Sequence, residues 1–134
     1  MTRSKSRIAF GFAAAMLLGA ATVAAILPRP VSSGAGGVRE IRLVVRDMTY
    51  YIDGGGEANP TLRVRRGERL RIRLRNEDAG MTHDFTVRAW EAETRLIEGR
   101  GEAVVEFRAP DSAGDDTYAC TPHGEMMRGT IRVE

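Results

Sequence analysis

The residues of this chain that could do chemistry are few, and most of them lie near its C-terminus. Cys120 is the only cysteine among 134 residues, and His83 and His123 are the only two histidines. His123 lies three residues after the cysteine, and Met126 and Met127 follow it at the third and fourth positions. A thiolate, two imidazoles and a thioether together form a ligand set for one transition-metal ion.

The types of these ligands favour copper over zinc. Thiolate and thioether sulfur are soft donors that suit copper, and imidazole also binds it. A structural zinc site usually takes several cysteines in paired spacings, which a chain with one cysteine cannot supply. Two histidines, one cysteine and a weak axial methionine are the ligands of trigonal blue-copper sites, which transfer electrons. The sequence therefore predicts one copper ion that alternates between Cu(I) and Cu(II).

The segments that must position these ligands alternate between apolar and polar residues, which is the period of a half-buried strand. In residues 69–75, Leu70, Ile72 and Leu74 alternate with four arginines. The same alternation, or a shorter version of it, predicts strands at residues 41–46, 62–65, 84–88, 103–108, 117–120 and 130–133. Glycine and proline clusters separate these segments, and a single helical turn is expected within 90–98. An all-β sandwich or barrel is therefore predicted.

Residues 1–30 differ from the rest of the chain. Basic residues within 2–7 precede an uncharged run at 8–27, which is typical of an export segment. The run is longer than most signal-peptide cores and long enough to span a bilayer as a helix. We expect a retained N-terminal membrane anchor, with a cleaved signal peptide as the alternative, followed by a Gly/Ser linker at 31–37. Either way, the domain at 38–134 is expected in the periplasm or another extracytoplasmic space.

The charge of the predicted domain argues against a nucleic-acid partner. Residues 38–134 contain sixteen arginines and no lysine against eighteen acidic residues, which gives a formal charge of −2. The basic pI of about 9.1 for the whole chain therefore comes from the leader and Arg29. A domain of this charge carries no general electrostatic signature of nucleic-acid binding.

The lone cysteine also cannot form an internal disulfide, which leaves metal ligation as its explanation.

Two separate segments resemble the ligand loops of the cupredoxins, the group that contains plastocyanin, amicyanin and azurin. Cys120-Thr121-Pro122-His123 resembles the Cys-x-Pro-His start of plastocyanin-like and amicyanin-like loops. Met127-Arg128-Gly129 resembles the Met-x-Gly sequence that begins their last strand. Upstream, residues 76–85 resemble the loop that carries their first histidine, which here is His83. The similarity spans residues 38–134.

This resemblance implies a cupredoxin-like Greek-key β-sandwich of seven to eight strands, preceded by an N-terminal hydrophobic helix. His83 would lie on a loop at one end of the sandwich. Cys120, His123 and Met127 would lie on the loop between the last two strands. Met127 is preferred as the axial ligand because the residues after it resemble the start of that last strand. Met126, which gives a shorter spacing from His123, is the alternative.

Two departures from the family pattern concern the surroundings of the ligands. Asp84 replaces the asparagine that commonly follows the first histidine, and its carboxylate is expected to bind backbone N–H groups or the hydroxyl of Thr121. Ala119 replaces the tyrosine that precedes the cysteine in plastocyanins. The expected route for electrons is therefore the imidazole edge of His123. An apolar ring is expected around that edge, formed by Gly80, Met81, Pro122, Gly124 and Met126.

These expectations combine into one predicted function. The chain is expected to be a monomeric type 1 copper electron carrier that meets a redox partner protein transiently. Delivery or buffering of copper is the alternative, and any contact with a membrane would come through the N-terminal segment. An enzymatic role is not expected, since both histidines are already assigned to the metal. The arginines at 69, 71, 73 and 75 are interpreted as a solvated strand face that pairs with Glu102 and Glu106, with docking of an acidic partner as the alternative.

Overall fold

The computed structural model of the protein describes residues 36–134, and the predicted leader and most of the linker lie outside them. Within this range no helix is long and apolar enough to cross a membrane. Eleven strands and one short 3₁₀ turn, Arg88–Trp90, make up the described part. The strands are β1 (Val38–Arg46), β2 (Thr49–Ile52), β3 (Leu62–Val64), β4 (Arg69–Asn76), β5 (Thr82–His83), β6 (Thr86–Val87), β7 (Ala92–Glu93), β8 (Ile97–Glu98), β9 (Gly101–Arg108), β10 (Gly114–Ala119) and β11 (Arg128–Val133).

The strands form two main sheets and one small one. The first sheet has the order β2-β1-β4-β9, and the second has the order β3-β11-β10-β6-β7. β5 and β8 form a separate two-stranded ribbon. The pairs β1–β4 and β3–β11 are parallel, and the other pairs are antiparallel. This arrangement confirms the all-β prediction for the domain.

The strand count and two local predictions differ in detail from the structure. Of the strands described, seven have three residues or more and four have only two. The strand predicted at 84–88 is reduced to the two residues of β6. The helical turn expected within 90–98 lies at Arg88–Trp90 and overlaps that stretch only at its first residue, whereas β7 and β8 lie inside the stretch. Strand β2 was not predicted because Tyr50, Tyr51 and Ile52 are consecutive apolar residues, so this segment shows no alternation.

The core lies between the two main sheets and follows from the alternation in the sequence. Along β4, Leu70, Ile72 and Leu74 are fully buried, whereas the arginines between them face outward. Tyr118 of β10 and Ile131 of β11 bury their side chains in the same cluster. A residue period of two therefore separates the core from the surface on this strand, as predicted.

The outward arginines of β4 are paired with carboxylates on neighbouring strands. Arg71 lies opposite Glu106 of β9 and forms an ion pair with it. Arg73 contacts Glu102 on one side and Glu40 of β1 on the other. This ladder confirms the pairing predicted for the strand face. Because these charges satisfy one another, the middle of the face is an ordinary solvated surface.

Strand register defines two opposite ends of the sandwich. At one end, here called the site end, Val45 pairs with Asn76 and Ala119 pairs with both Thr86 and Arg128. At the other end the pairs are Val38–Arg69 and Arg69–Arg108 in the first sheet and Gly114–Val133 in the second. The eight residues of β4 connect the two ends. At about 3.3 Å per residue they separate the ends by roughly 25 Å.

Candidate metal centre

The loop that carries the cysteine is closed at its base by the last two strands. Ala119 and Arg128 are the final pair of β10 and β11, so Cys120 and Met127 face one another as the chain leaves the sheet. The N–H of Cys120 donates to the carbonyl of Met127 at 3.0 Å. The backbones of Cys120 and Met127 are therefore held next to one another by a contact that does not involve a metal.

A tight turn at the tip of this loop sets the orientation of the two methionines. The N–H of His123 donates to the carbonyl of Cys120 at 3.3 Å. The carbonyl of His123 accepts the N–H groups of Met126 at 3.0 Å and Met127 at 2.9 Å. As a result Met127 is fully buried, whereas Met126 is 62% exposed. The two candidate axial ligands therefore have very different surroundings.

His83 is positioned by strand β5 and by a side chain that sequence reasoning missed. His83 pairs with Ile97 of β8 and is fully buried. The loop before it is shaped by Asn76, whose side-chain amide donates to the carbonyls of Met81 at 2.9 Å and Gly99 at 2.7 Å. Asn76 is itself buried at the end of β4. A buried amide with these contacts fixes the loop on which the histidine lies.

The structure brings three predicted ligands to one point. The Sγ atom of Cys120 lies 3.7 Å from Nδ1 of His83 and 3.6 Å from Nδ1 of His123. The three possible ligand atoms all lie within 4.8 Å of one another. The two imidazole rings are 5.0 Å apart between centroids and tilted by 56°. Both rings thus present the same nitrogen to the space beside the sulfur.

A carboxylate orients the buried histidine from behind. Nε2 of His83 lies 3.1 Å from Oδ2 of Asp78. With the ring hydrogen on Nε2, Nδ1 keeps a lone pair for a metal, which is the usual arrangement of a ligating histidine. Asp78 is fixed in turn by the N–H groups of Asp47 at 2.7 Å and Met48 at 3.1 Å. In the sequence, the feature that could have predicted this contact is an acidic residue five positions before the histidine.

A second carboxylate joins the two ligand loops, as predicted. Oδ1 of Asp84 accepts the N–H of Thr121 at 2.6 Å, and Asp84 is almost fully buried. The hydroxyl of Thr86 contacts both Oδ2 of Asp84 and the hydroxyl of Thr121. Tyr50 donates its hydroxyl to the carbonyl of Asp84. The loop of the first histidine is therefore tied directly to the loop of the cysteine.

Burial sets the protonation of the ligands in the absence of a metal. It lowers the pKa of His83, although the Asp78 carboxylate acts in the opposite direction. Burial also raises the pKa of the Cys120 thiol, and the backbone N–H groups of Asp84 and His123 offset this rise only in part. Burial would also raise the pKa of Asp78, but hydrogen bonds from Met48, Asp47 and His83 hold it below the ordinary value. The imidazole of His83 is therefore neutral at pH 7, and the site favours a cation that can stabilise the thiolate of Cys120.

These residues fit a copper ion. One sulfur and two imidazole nitrogens converge, and the buried side chain of Met127 belongs to the residue whose backbone pairs with Cys120 at the base of the same loop. Soft sulfur together with imidazole is a donor set that copper prefers. His83 and Cys120 are closed off from solvent, whereas His123 is only half-buried. The arrangement therefore combines a dry metal pocket with one ligand that reaches the surface.

Comparison with known proteins agrees with this fit. A model of the copper binding proteins of the plastocyanin/azurin family matches residues 59–134. A search of curated protein sequences found no match. Among solved structures, auracyanin A of Chloroflexus aurantiacus, a blue copper protein, is 19% identical with a TM-score of 0.55, covering 73% of this chain and 100% of its own.

Two further structures show the same fold. Reduced auracyanin from Roseiflexus castenholzii is 16% identical with a TM-score of 0.59, covering 72% of this chain and 97% of its own. Reduced rusticyanin is 18% identical with a TM-score of 0.55, covering 75% and 81%. The fold, the family match over the whole ligand region and the converging donors agree. The chain belongs to the plastocyanin/azurin family of copper binding proteins, the cupredoxins, and copper is its cofactor.

Proposed function

We propose that this protein carries single electrons through a type 1 copper site held by His83, Cys120, His123 and Met127. The observation that carries the proposal is the buried Cys120 sulfur with Nδ1 of His123 at 3.6 Å and Nδ1 of His83 at 3.7 Å. Bound there, copper supplies a one-electron change between Cu(II) and Cu(I). The role of the protein is to hold these four side chains in one geometry for both oxidation states and to exclude water.

The supports of the ligands favour electron transfer over copper delivery. Each ligand loop is held by hydrogen bonds that do not involve a metal: Asn76 and Asp78 fix the first loop, and Asp84 joins it to the second. A delivery site must open and exchange its metal, whereas these loops are pinned at both ends. Met127 is the proposed axial ligand because its side chain is buried, unlike that of Met126.

The exit for electrons is proposed at His123. Tyr118, the aromatic residue nearest the cysteine in sequence, is fully buried and donates its hydroxyl to the carbonyl of Pro60 at 2.7 Å, so it offers no route to the surface. Met81 and Met126 are exposed large apolar side chains on the two ligand loops. A small apolar surface of this kind suits a transient encounter with a redox partner protein. Since all proposed ligands come from one chain, a monomer is sufficient.

The proposed location is outside the cytoplasmic membrane, with the apolar segment 8–27 retained as an anchor. Support comes from the basic flank and from the length of the uncharged run. Native protein should appear in the membrane fraction with its N-terminus intact. A soluble product that begins between residues 25 and 36 would show a cleaved signal peptide instead.

The electron-carrier proposal is tested by spectroscopy of the purified protein with Cu(II). A type 1 site should give an intense thiolate-to-copper absorption band and a reversible midpoint potential. Cys120→Ser should abolish the band, and Ser112→Ala, a change at an exposed position between β9 and β10, should leave it unchanged. A colourless protein that readily gives up Cu(I) to a chelator would support copper delivery or buffering instead.

A further inference from the structure

An open cleft lies at the end of the sandwich opposite the metal centre. Its volume is about 860 Å³, and it is lined by the start of β1, the turn between β3 and β4 and the end of β9. Six arginines line it: Arg39, Arg63, Arg65, Arg66, Arg69 and Arg108. Only two acidic side chains, Glu68 and Glu134, share this lining. We call this end the arginine end.

Half of these arginines have carboxylate partners and half do not. Arg39 pairs with Glu68, Arg63 with Glu134 and Arg108 with Asp111. Among the residues that the structure describes, no carboxylate lies within ion-pair distance of Arg65, Arg66 or Arg69. All three are exposed. The arginine end therefore keeps a local excess of positive charge, although the domain as a whole is slightly acidic.

The backbone that carries these three arginines is well fixed. The N–H of Gly67, whose φ is +63°, donates to the carbonyl of Pro110 at 3.0 Å. A Cβ at Gly67 would lie 2.5 Å from the Arg108 guanidinium, so the turn packs closely against that side chain. Glu68 accepts the N–H of Arg65 at 2.9 Å. Two guanidinium groups on this turn and a third at the first residue of β4 present donors suited to phosphate oxygens.

Position distinguishes this cleft from a general basic surface. The arginines in the middle of β4 are paired, so their charge is already satisfied. The described chain enters the domain at Gly36 and Gly37, which line the same cleft. His123, the proposed exit for electrons, lies at the far end, roughly 25 Å away along β4. A surface bound at the arginine end would leave the copper site open to partners.

We propose that the arginine end docks onto the phosphates of anionic phospholipid headgroups and so turns the copper site away from the membrane. The charge of the cleft does not depend on the proposed electron transfer. The choice of a membrane as the source of phosphate rests on the proposed retention of segment 8–27. Because the attraction is electrostatic, it should weaken as salt increases.

Hydrogen exchange of the full chain in lipid nanodiscs tests this proposal. Backbone amides at 63–69 should exchange more slowly in discs that contain phosphatidylglycerol than in discs of phosphatidylcholine alone. The triple variant Arg65→Gln, Arg66→Gln, Arg69→Gln should lose this protection, with the association weakened roughly fivefold for each arginine removed. These exposed side chains have no partners to lose, and an unchanged copper absorption band would show that the variant is folded.

A charge-matched variant, Arg46→Gln, Arg88→Gln, Arg100→Gln, removes three arginines elsewhere and should keep the protection. The proposal is overturned if the two variants behave alike, if anionic lipid changes nothing, or if protection appears at 121–127 instead. It is also overturned if inorganic phosphate without lipid protects 63–69 as well as the discs do, since the ligand would then be a free anion. The exchange readout does not require electron transfer, so the two proposals fail separately.

Discussion

At the scale of single residues, two aspartates determine how His83 is held. Asp78 contacts the ring nitrogen that faces away from the cysteine, and Asp84 links the next position to the cysteine loop. The first contact places a negative charge against a ligand, and the second places one against a backbone N–H. Outer partners of this kind orient ligands and change the electron density on the metal.

Asp78→Asn should raise the midpoint potential of the copper site. The carboxylate stabilises the higher charge of Cu(II), so its removal favours Cu(I), and a tenfold change in that preference corresponds to about 59 mV for one electron. The measurement is protein-film or solution voltammetry at neutral pH. Glu77→Gln, which removes a neighbouring carboxylate that pairs with Arg75, should leave the potential close to wild type. A lowered potential in Asp78→Asn would contradict the argument.

The two methionines give a second prediction for single residues. Met127→Gln should lower the midpoint potential by more than about 60 mV, since an amide oxygen is a harder ligand than a thioether and suits Cu(I) less well. It should also shift the visible absorption band. Met126→Gln serves as the control, because this side chain is exposed and should affect neither quantity strongly. The opposite outcome would make Met126 the axial ligand.

At the scale of elements, the ligand loop depends on how β11 begins. Gly129, the second residue of β11, lies opposite Tyr118, and a Cβ there would come within 2.3 Å of the tyrosine ring. That ring packs against Phe85 at 5.4 Å between centroids, directly after the segment of the first histidine. The Met-x-Gly sequence therefore has a steric cause in this protein: glycine leaves room for the tyrosine below the loop.

Gly129→Ala should destabilise the protein by about 1–3 kcal/mol, the usual cost of overpacking a buried site. Chemical denaturation of the copper-free protein, followed by tryptophan fluorescence, measures the loss. Gly114→Ala is the matched control at the other end of β10, because a Cβ there meets nothing within 4 Å. Equal stability of the two variants would show that Tyr118 can move aside without cost.

At the scale of the whole molecule, the two ends of the sandwich differ in the side chains that they gather. The site end gathers the ligands and the two aspartates that support them, and the arginine end gathers unpaired positive charge. The strands between them carry paired charges on the outside and apolar residues on the inside. Such a layout allows one end to exchange electrons while the other is held, which is the basis of the orientation proposed above.

Lowering the pH should reduce the free energy of unfolding, partly because Glu68 at the arginine end becomes protonated. Burial would raise the pKa of Glu68, but the hydrogen bonds from Arg39 and the N–H of Arg65 lower it below the ordinary 4.5. The unfolded chain therefore takes up the proton first as the pH falls. The stability contributed by Glu68 is present above pH 4.5 and is lost as the pH drops through the lower, folded value.

Urea unfolding of the copper-free protein at a series of pH values measures this effect. Glu68→Gln should lower the unfolding free energy at neutral pH and make it fall less steeply below pH 4.5 than in wild type. Glu57→Gln, which removes an exposed glutamate, is the charge-matched control. A wild-type slope in Glu68→Gln would show that other carboxylates govern the acid limb.

The sequence alone determined the kind of site and the class of fold. The choice of metal is restricted by the donor atoms of one cysteine, two histidines and a following methionine. These donor atoms are known from the residue types, without any tertiary structure. The strands with clear alternation, such as β4, were predictable because alternation between apolar and polar residues is visible within a short segment of sequence. The contact of Asp84 with the cysteine loop was also predicted, because Asp84 occupies the position of the asparagine that commonly follows the first histidine in the family that this sequence resembles.

Only the tertiary structure decided which residues support the ligands and where charge remains unpaired. Asn76, at the end of β4, bonds to Met81 and to Gly99. Asp78 bonds to the turn after β1, which the parallel pairing of β1 with β4 brings alongside. The burial of Met127 instead of Met126 depends on a turn closed by the carbonyl of His123. The arginine cleft forms because strands far apart in sequence end at the same place. These contacts depend on the distances between segments that are far apart in the sequence. Residue types and the periodicity of a segment do not give those distances.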